Sequence, residues 1–305
     1  MADGSNFTPY YIAETAFGVT PSPIDGTPLS WKPLSQNGFT LAQTRQSIEG
    51  TNIKSGRFAS KPILGGVEHG GDVSTELPYG EYDDFIEAVL GGTWTANVLK
   101  AGAIRRSFSI AGFHSDLQGA NQYRLHTGVN INTWNLTVST DAVVTSTFGC
   151  IGKSESFSDL SADDFEAVGT ANPFDSFSGS VKEGGVTKGI VTEISFTVDN
   201  GMERRPTIMT GTDASQPSIG LSKVTGNYTV YFESAAEYEK YLNSTDTSLE
   251  FTITNADGSY TFLMPNVRFT GGQPDVQGPG AITLPLSFEA SYDATEDTNL
   301  KVTRA

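Results

Sequence analysis

The sequence has few of the residues that carry out chemistry in proteins. Its 305 residues include one cysteine, Cys150, which excludes a disulfide within the chain and a metal site built from several thiolates. The histidines are His69, His114 and His126, and no two of them are neighbours in the sequence. The glycine pairs lack the lysine of a phosphate-binding loop. We therefore expect no catalytic residues, no metal, no cofactor and no enzymatic activity.

Long apolar segments are also missing. No run of residues approaches the roughly 20 apolar residues of a membrane-spanning helix. No cationic apolar segment of the kind found in secretory leaders opens the sequence. We expect a protein that folds in a cytoplasm and has no membrane partner.

Positive charge is the third scarcity. Lysine and arginine number 19 against 35 aspartates and glutamates, which gives a formal net charge of −16. An acidic surface repels the phosphates of nucleic acids, so tight DNA or RNA binding is disfavoured. Two interpretations remain open: an ordinary solvated surface, or a surface along which DNA slides without sticking. Charge alone does not separate them.

Turn and strand residues are abundant instead. The 33 glycines and the alternating Thr, Ser, Val and Phe segments are typical of an antiparallel β protein. Two short helices interrupt this pattern, because apolar residues there recur every three to four positions. The helix-packing residues are predicted to be Tyr82, Phe85 and Ile86 in the first helix and Tyr238, Tyr241 and Leu242 in the second.

Part of the sequence occurs twice. Residues 59–65 (ASKPILG) recur as residues 214–220 (ASQPSIG), an offset of 155 that also places Gly71 on Gly226. Residues 107–110 match residues 250–253 at an offset of 143. The matches keep the same order in both halves, which indicates one β-rich unit used twice. A chain that presents the same surface twice usually builds something periodic.

These patterns predict a mainly β fold with two tandem units, each a sheet or flattened barrel with one short packed α-helix. The first repeat covers residues 36–155 and the second covers residues 173–305 with a C-terminal tail. A proline-rich N-terminal arm, residues 1–35, is expected to be extended, and residues 156–172 form a linker. Such units leave sheet edges open, and copies of the chain could close those edges in a ring.

Four segments resemble the tail tube proteins of bacteriophages with long, non-contractile tails, the siphovirus type. They are residues 11–21 (YIAETAFGVTP), 77–94 (LPYGEYDDFIEAVLGGTW), 173–179 (PFDSFSG) and 292–303. The resemblance implies two tandem tube-type β-sandwich or barrel domains in a structural virion protein whose rings stack into a hollow tail, the conduit for genomic DNA. It implies contacts with itself and with tape measure, tail terminator and distal tail proteins. The protein would be assembled in the host cytoplasm and reside in the virion tail.

The resemblance also implies contacts between rings. In related proteins a long loop after the first strands reaches into the next ring, which by position is residues 44–63 here and residues 199–218 in the second repeat. The expected contact residues are Arg45, Ile48, Arg57, Phe58, Met202, Arg204, Arg205 and Ile208.

Several alternatives remain open at this stage. With two tube domains per chain, three chains would close a ring with pseudo-sixfold symmetry; alternatively, six chains form the ring and the second domain decorates the exterior. A different class of function is a β-rich adhesin or carbohydrate-binding module, which would expose aromatic residues on a loop face. Trp31, Trp94 and Trp134 are instead dispersed, and packing or a subunit contact can explain each of them. A hydrolase is disfavoured by the scarcity of histidine.

Overall fold

The computed structural model describes most of the chain. The described residues are 3–23, 28–49, 61–119, 122–161, 164–176, 178–205, 215–274, 276 and 278–305. The fold is mainly β with two short helices, as the composition predicted.

The elements divide between the two halves of the chain. The first half contains β1 (Phe7–Ala13), β2 (Lys32–Pro33), β3 (Gly38–Phe39), β4 (Ala42–Ile48), β5 (Ile63–Glu76), α1 (Asp83–Leu90), β6 (Val98–Lys100), β7 (Phe108–His114), β8 (Tyr123–Ser139), β9 (Thr145–Ile151) and β10 (Ser154–Ser158). The second half contains β11 (Ser180–Glu183), β12 (Val186–Thr187), β13 (Val191–Asp199), β14 (Lys223–Tyr231), α2 (Ala236–Leu242), β15 (Thr247–Thr254), β16 (Ser259–Gly272), β17 (Thr283–Ala290) and β18 (Lys301–Arg304).

Eight antiparallel strands form what we call the large sheet. Their order across the sheet is β4–β5–β9–β8–β13–β14–β17–β16. The strands β2, β1, β7 and β10, with the first part of β8, form a smaller sheet that packs on it. Further pairing extends from β16 to β15, β11 and β12 on one side and to β18 and β6 on the other.

The two halves pair their strands in the same order. The first runs β4–β5–β9–β8–β7 and the second runs β13–β14–β17–β16–β15. In each half the helix follows the second strand of this series, β5 in the first half and β14 in the second. The β8–β9 pairing shifts register between Ile131 and Thr133, and the β16–β17 pairing shifts between Phe269 and Gly271. Even the irregularities of the two halves therefore correspond.

The strand registers correct one of the sequence offsets. Phe108 lies opposite Val129, and Thr247 lies opposite Val267, so β7 and β15 correspond at an offset of 139. The offset of 143 inferred from residues 107–110 and 250–253 is wrong by four positions. A slip by an even number of residues keeps the same side chains on the buried face of a strand, so alternation cannot reveal it.

The N-terminal segment is part of the smaller sheet. Residues 7–13 are extended, as predicted for residues 1–35, but they pair along their full length with β7 and so belong to this sheet rather than to a separate arm. Pro9 lacks an amide hydrogen, but its carbonyl accepts a hydrogen bond from the Leu34 amide at 2.9 Å. Tyr11 is 2% exposed and anchors the strand. The expected linker also begins inside β10, which pairs with β8 up to Ser158.

The two halves share one hydrophobic core. Trp134 of β8 is fully buried, and its ring centroid lies 5.9 Å from Phe148 in the first half. The same ring lies 5.0 Å from Phe196 and 5.9 Å from Phe262, both in the second half. The Trp134 indole nitrogen donates a hydrogen bond to the Ser146 hydroxyl at 2.8 Å, which satisfies its one donor. The packing therefore continues across the middle of the chain.

The two helices are buried to different extents. Tyr82, Phe85 and Ile86 are fully buried at α1, and Gly91 ends this helix in the left-handed conformation, with φ of 64°. At α2, Tyr238 and Tyr241 are partly buried against the core. Leu242 is 61% exposed, so its predicted packing role is wrong. The seven residues of α2 make two turns, and the buried side of the helix is taken by the two tyrosines and by Glu237.

A histidine pair lies buried near the junction of the two sheets. His69 Nε2 and His126 Nδ1 are 2.8 Å apart, and the two side chains are 5% and 0% exposed. Burial is the main cause that lowers the pKa of both imidazoles, and the pKa of His126 falls to about 3. The neighbouring His69 and Arg124 lower the pKa of His126 further. Both rings are therefore neutral in the folded protein at pH 7.

This pair predicts a pH dependence of stability. The folded-state pKa of His126 lies below its unfolded value of about 6.5, so the unfolded chain binds more protons as pH falls from about 6.5 toward 3. The free energy of unfolding should decrease over this window, by at most about 1.4 kcal/mol per pH unit for each histidine. In denaturant titrations from pH 7 to pH 4.5, His126→Phe should show a shallower decrease than the wild type. His114→Gln, at a partly exposed position, should keep most of the wild-type slope.

The shared core predicts cooperative unfolding. Replacing Trp134 with alanine should lower the free energy of unfolding by about 3–5 kcal/mol, because it opens a cavity that touches both halves. Tyr292→Ala, at a side chain that is 62% exposed, should cost much less. The wild type should unfold in one calorimetric transition, and two well-separated transitions would contradict a common core.

Candidate functional site

One face of the large sheet is polar and exposed. In β13 the buried residues are Ile194, Phe196 and Val198, so the side chains between them point to the other face, which we call the polar face. It is lined by short hydroxyl and amide side chains from all eight strands. They include Thr40, Thr44, Ser74, Thr133, Asn135, Thr137, Thr145, Thr147, Ser195, Thr197, Thr225, Asn227, Thr229, Thr270 and Ser287.

Hydrogen bonds between neighbouring strands hold these side chains in place. Asn135 Nδ2 donates to Thr197 Oγ1 at 2.9 Å, across the junction of the two halves. The Ser74 and Thr147 hydroxyls lie 3.1 Å apart, and Ser287 Oγ lies 3.1 Å from Asn227 Oδ1. Such cross-strand pairs stabilise a sheet.

The charge of the polar face is negative. Six carboxylates and two cationic side chains project from it: Glu68, Asp72, Glu76, Glu193, Asp199 and Glu289 against Lys223 and Arg268. Arg268 is itself paired with Asp246 at 2.7 Å, and Glu68 with Arg204 at 2.7 Å. The surplus of carboxylates is therefore spread across both halves of the chain, and polyanions are repelled by such a surface.

The predicted contact loops lie at one end of the large sheet. Strands β4 and β5 extend there as a hairpin, with Arg45 exposed. Three apolar side chains are exposed near its end: Ile48 at 52%, Ile63 at 65% and Leu64 at 62%. Arg57 and Phe58, which were also expected to make contacts, lie outside the described residues.

The second predicted loop lies against this hairpin. Arg204 Nη1 donates to Glu68 Oε1 of β5 at 2.7 Å, so this arginine is occupied within the chain. The Met202 amide donates to Asn132 Oδ1 at 2.8 Å, and Met202 is partly buried. Arg205 is exposed, and Ile208 lies outside the described residues. The structure thus brings the described members of both predicted groups to the same end of the molecule.

The large sheet ends in two open edges. Among the described strands, β4 pairs with β5 alone. At the opposite margin, the end of β16 from Arg268 to Gly272 pairs with β17 on one side. Unpaired edges invite association with another strand, and monomeric proteins usually protect them with charges, bulges or covering segments.

Three side chains could be arranged around a metal ion. Ligand atoms of His69, His126 and Glu155 lie within 4.8 Å of one another. Sequence analysis had not joined them, because β5, β8 and β10 bring them together only in the folded sheet. Glu155 is held by Arg124 at 2.8 Å; although burial acts in the opposite direction, the hydrogen bonds from Arg124 and from the Gln43 amide lower the pKa of this carboxyl. The adjacent guanidinium and the direct histidine–histidine hydrogen bond fit a cation poorly.

The structure also shows the surroundings of Cys150 and of the three tryptophans. Cys150 is buried, which raises the pKa of its thiol and keeps it in the unreactive protonated form. Trp31 and Trp134 are fully buried, and Trp94 packs against the Arg304 guanidinium, 4.5 Å from the ring. Within the described residues, no helix is long and apolar enough to span a membrane.

Comparison with known proteins agrees with this geometry. The family model described as phage tail tube protein matches residues 8–290, which is nearly the whole chain. The curated proteins compared with the chain include no match. The matched region takes in the large sheet, both helices and both predicted contact loops. The chain belongs to the phage tail tube protein family, whose members are structural components of the virion tail.

Proposed function

We propose that this protein assembles into stacked rings that form the hollow tail tube of a siphovirus-type phage. The phage genome would leave through the bore of this tube. The observation that carries the proposal is the large sheet, which combines two open edges with an acidic, polar face. Joining the edges of successive copies would close the sheet into a cylinder, as closure in β-barrels removes exposed edges. Assembly would take place in the host cytoplasm.

We assign the polar face to the bore. DNA moving through a narrow channel must not be held by it, and a surface of hydroxyls, amides and surplus carboxylates offers phosphates few partners. The opposite face of the same sheet is covered by the shared core and cannot meet solvent. This assignment gives the net charge of −16 a function in the transport of DNA.

We further propose that the chain is an internal duplication and that three chains complete a ring. The two halves pair their strands in the same order, and β8 and β13 join the two four-strand units edge to edge. Each chain would then supply two of six similar places. In the alternative ring of six chains, one half decorates the exterior; the continuous pairing of both halves in one sheet argues against this arrangement.

Contacts between rings are proposed for the two loops at one end of the sheet. The exposed apolar side chains Ile48, Ile63 and Leu64 on the β4–β5 hairpin would be covered by the neighbouring ring. Three residues after the second loop, Leu221 is 78% exposed and offers a similar apolar contact. Tape measure, tail terminator and distal tail proteins would meet the tube at its ends and in its bore.

An adhesin or carbohydrate-binding module is the second candidate function. Such modules present aromatic side chains to sugars, whereas two of the three tryptophans here are fully buried. The third is covered on one side by Arg304. The burial of these rings favours the tube.

Microscopy and mass measurement of the purified protein test the proposal together. We expect hollow fibres in negative stain, and rings whose native mass equals three chains of 32.5 kDa each. Rings of six chains would contradict the proposed ring of three chains but not the proposed tube. Discrete particles that bind glycans would favour the adhesin, and turnover of any substrate would favour an enzyme.

Charge reversal tests the assignment of the bore. A triple variant, Glu193→Lys, Asp199→Lys and Glu289→Lys, should give tubes that retain duplex DNA and protect it from nuclease, most strongly at low salt. A matched control carries the same reversals at exposed positions off the polar face: Glu233→Lys, Glu239→Lys and Asp257→Lys. DNA on the control tubes should stay accessible to nuclease. Equal protection of DNA by both variants would contradict the assignment of the polar face to the bore.

A further inference from the structure

The junction inside the chain indicates how two copies join, if the proposed ring is correct. Within the chain, β13 lies alongside the end of β8, with Thr197 opposite Asn135 and Val198 opposite Trp134. The equivalent strands at the outer margins are β3 with β4 at one end and β16 at the other. β13 and β8 pair with each other inside the chain. Among the described strands, none pairs with the outer side of β3 and β4 or with the outer side of the end of β16.

Strand registers fix which residues correspond. Phe39 lies opposite Val73 and Ile194 lies opposite Tyr228, so residues 38–44 correspond to residues 193–199 at an offset of 155.

The other margin follows in the same way. Trp134 lies opposite Phe148 and Gly272 lies opposite Leu286, so Trp134 corresponds to Gly272 at an offset of 138. Strand β16 ends at Gly272, and we continue the same offset from there to Gln273, Pro274 and Val276. We infer that residues 41–44 of one copy pair antiparallel with residues 271–274 of the next. In this register Thr44 lies opposite Gly271, Ala42 opposite Gln273 and Phe39 opposite Val276.

An apolar side chain and a cleft support this register. Val276 is 67% exposed in the single chain. Its counterpart Val138 is opposite Ile194 and packs against the core. Beside Phe39 a cleft of about 560 Å³ is open between the two sheets, lined by Phe7, Gln36, Asn37, Phe39, His114 and Arg124. We assign this cleft to Val276 of the neighbouring copy, which would be partly buried there, as Val138 is inside the chain.

Pro274, in the segment proposed to pair with the next copy, is a further observation that supports the register. The amides of Asn200 and Thr140 donate to the carbonyls of Asn132 and Thr192, both at 3.1 Å, so alternate pairs of the inner junction exchange hydrogen bonds. By this alternation, the pair corresponding to Phe196 and Leu136 is a hydrogen-bonded one.

At the outer margin, the corresponding pair is Leu41 and Pro274. Pro274 has no amide hydrogen, so it cannot donate to the Leu41 carbonyl. That carbonyl already accepts a hydrogen bond from Arg124 Nη2 at 2.8 Å. Arg124 thus serves the one edge carbonyl that this neighbour leaves unpaired. The Gln43 amide, now bound to Glu155 at 2.7 Å, would exchange that bond for the carbonyl of Gly272.

Disulfide trapping tests the register directly. Ala42→Cys with Gln273→Cys places thiols at a pair that corresponds to Thr197 and Asn135, whose side chains touch at 2.9 Å. Oxidised tubes should yield covalently closed rings on a denaturing, non-reducing gel. Thr44→Cys with Gln273→Cys, two residues out of register on the same face, should yield little. Asn135→Cys with Thr197→Cys should close within one chain and shows that such a pair reacts.

The outcomes separate this inference from the proposed function. Tubes could form normally without a disulfide between positions 42 and 273, or with one between 44 and 273 instead. Either result would contradict the register but not the proposed tube. A wild-type chain that forms no tubes would contradict the proposed function itself.

Val276 offers an independent test of the cleft. Val276→Asp should abolish ring formation while the single chain keeps the wild-type melting temperature, because the residue is exposed before assembly. Val186→Asp, at a valine that is 63% exposed on β12, is the matched control and should assemble normally. Normal assembly of the Val276 variant would contradict insertion of this side chain into the cleft.

Discussion

The edge-to-edge pairing of β8 with β13 is the interaction on which the rest of the structure depends. It joins two four-strand units into one sheet, and it places Trp134 between the aromatic side chains of both halves. Without it, each unit would leave another edge open and another part of its core exposed to water. With it, the chain becomes a segment of a larger sheet that has two free margins.

The two faces of this sheet divide the work. Alternation along each strand sends large apolar side chains to the core and short polar ones to the opposite face. The buried face therefore accounts for stability, and in the proposed tube the polar face is the one that meets DNA. A low density of cations on that face is consistent with the scarcity of catalytic and basic residues in the sequence. Sparse chemistry fits the proposed function, because a conduit for DNA needs an inert surface.

Local patterns made much of this fold predictable, and distant pairing made the rest unpredictable. The spacing of Tyr82, Phe85 and Ile86 gave α1, and alternation gave most strands. The role of β1 was missed because Pro9 disfavours a strand, although its carbonyl still serves the sheet. His69 and His126, 57 residues apart, meet only through the pairing of β5, β9 and β8. The contact roles of Arg45, Ile48, Arg57, Phe58, Met202, Arg205 and Ile208 stay predictions, whereas Arg204 is occupied within the chain by Glu68.

The central claim is that the two halves occupy equivalent places around a common axis. A cryo-electron microscopy reconstruction of assembled tubes measures this directly, because it resolves the angle between successive four-strand units. The account predicts three chains per ring, with the junctions inside and between chains alternating at equal angles around the bore. A map with six whole chains per ring, in which the strands of one half alone line the bore, would contradict it.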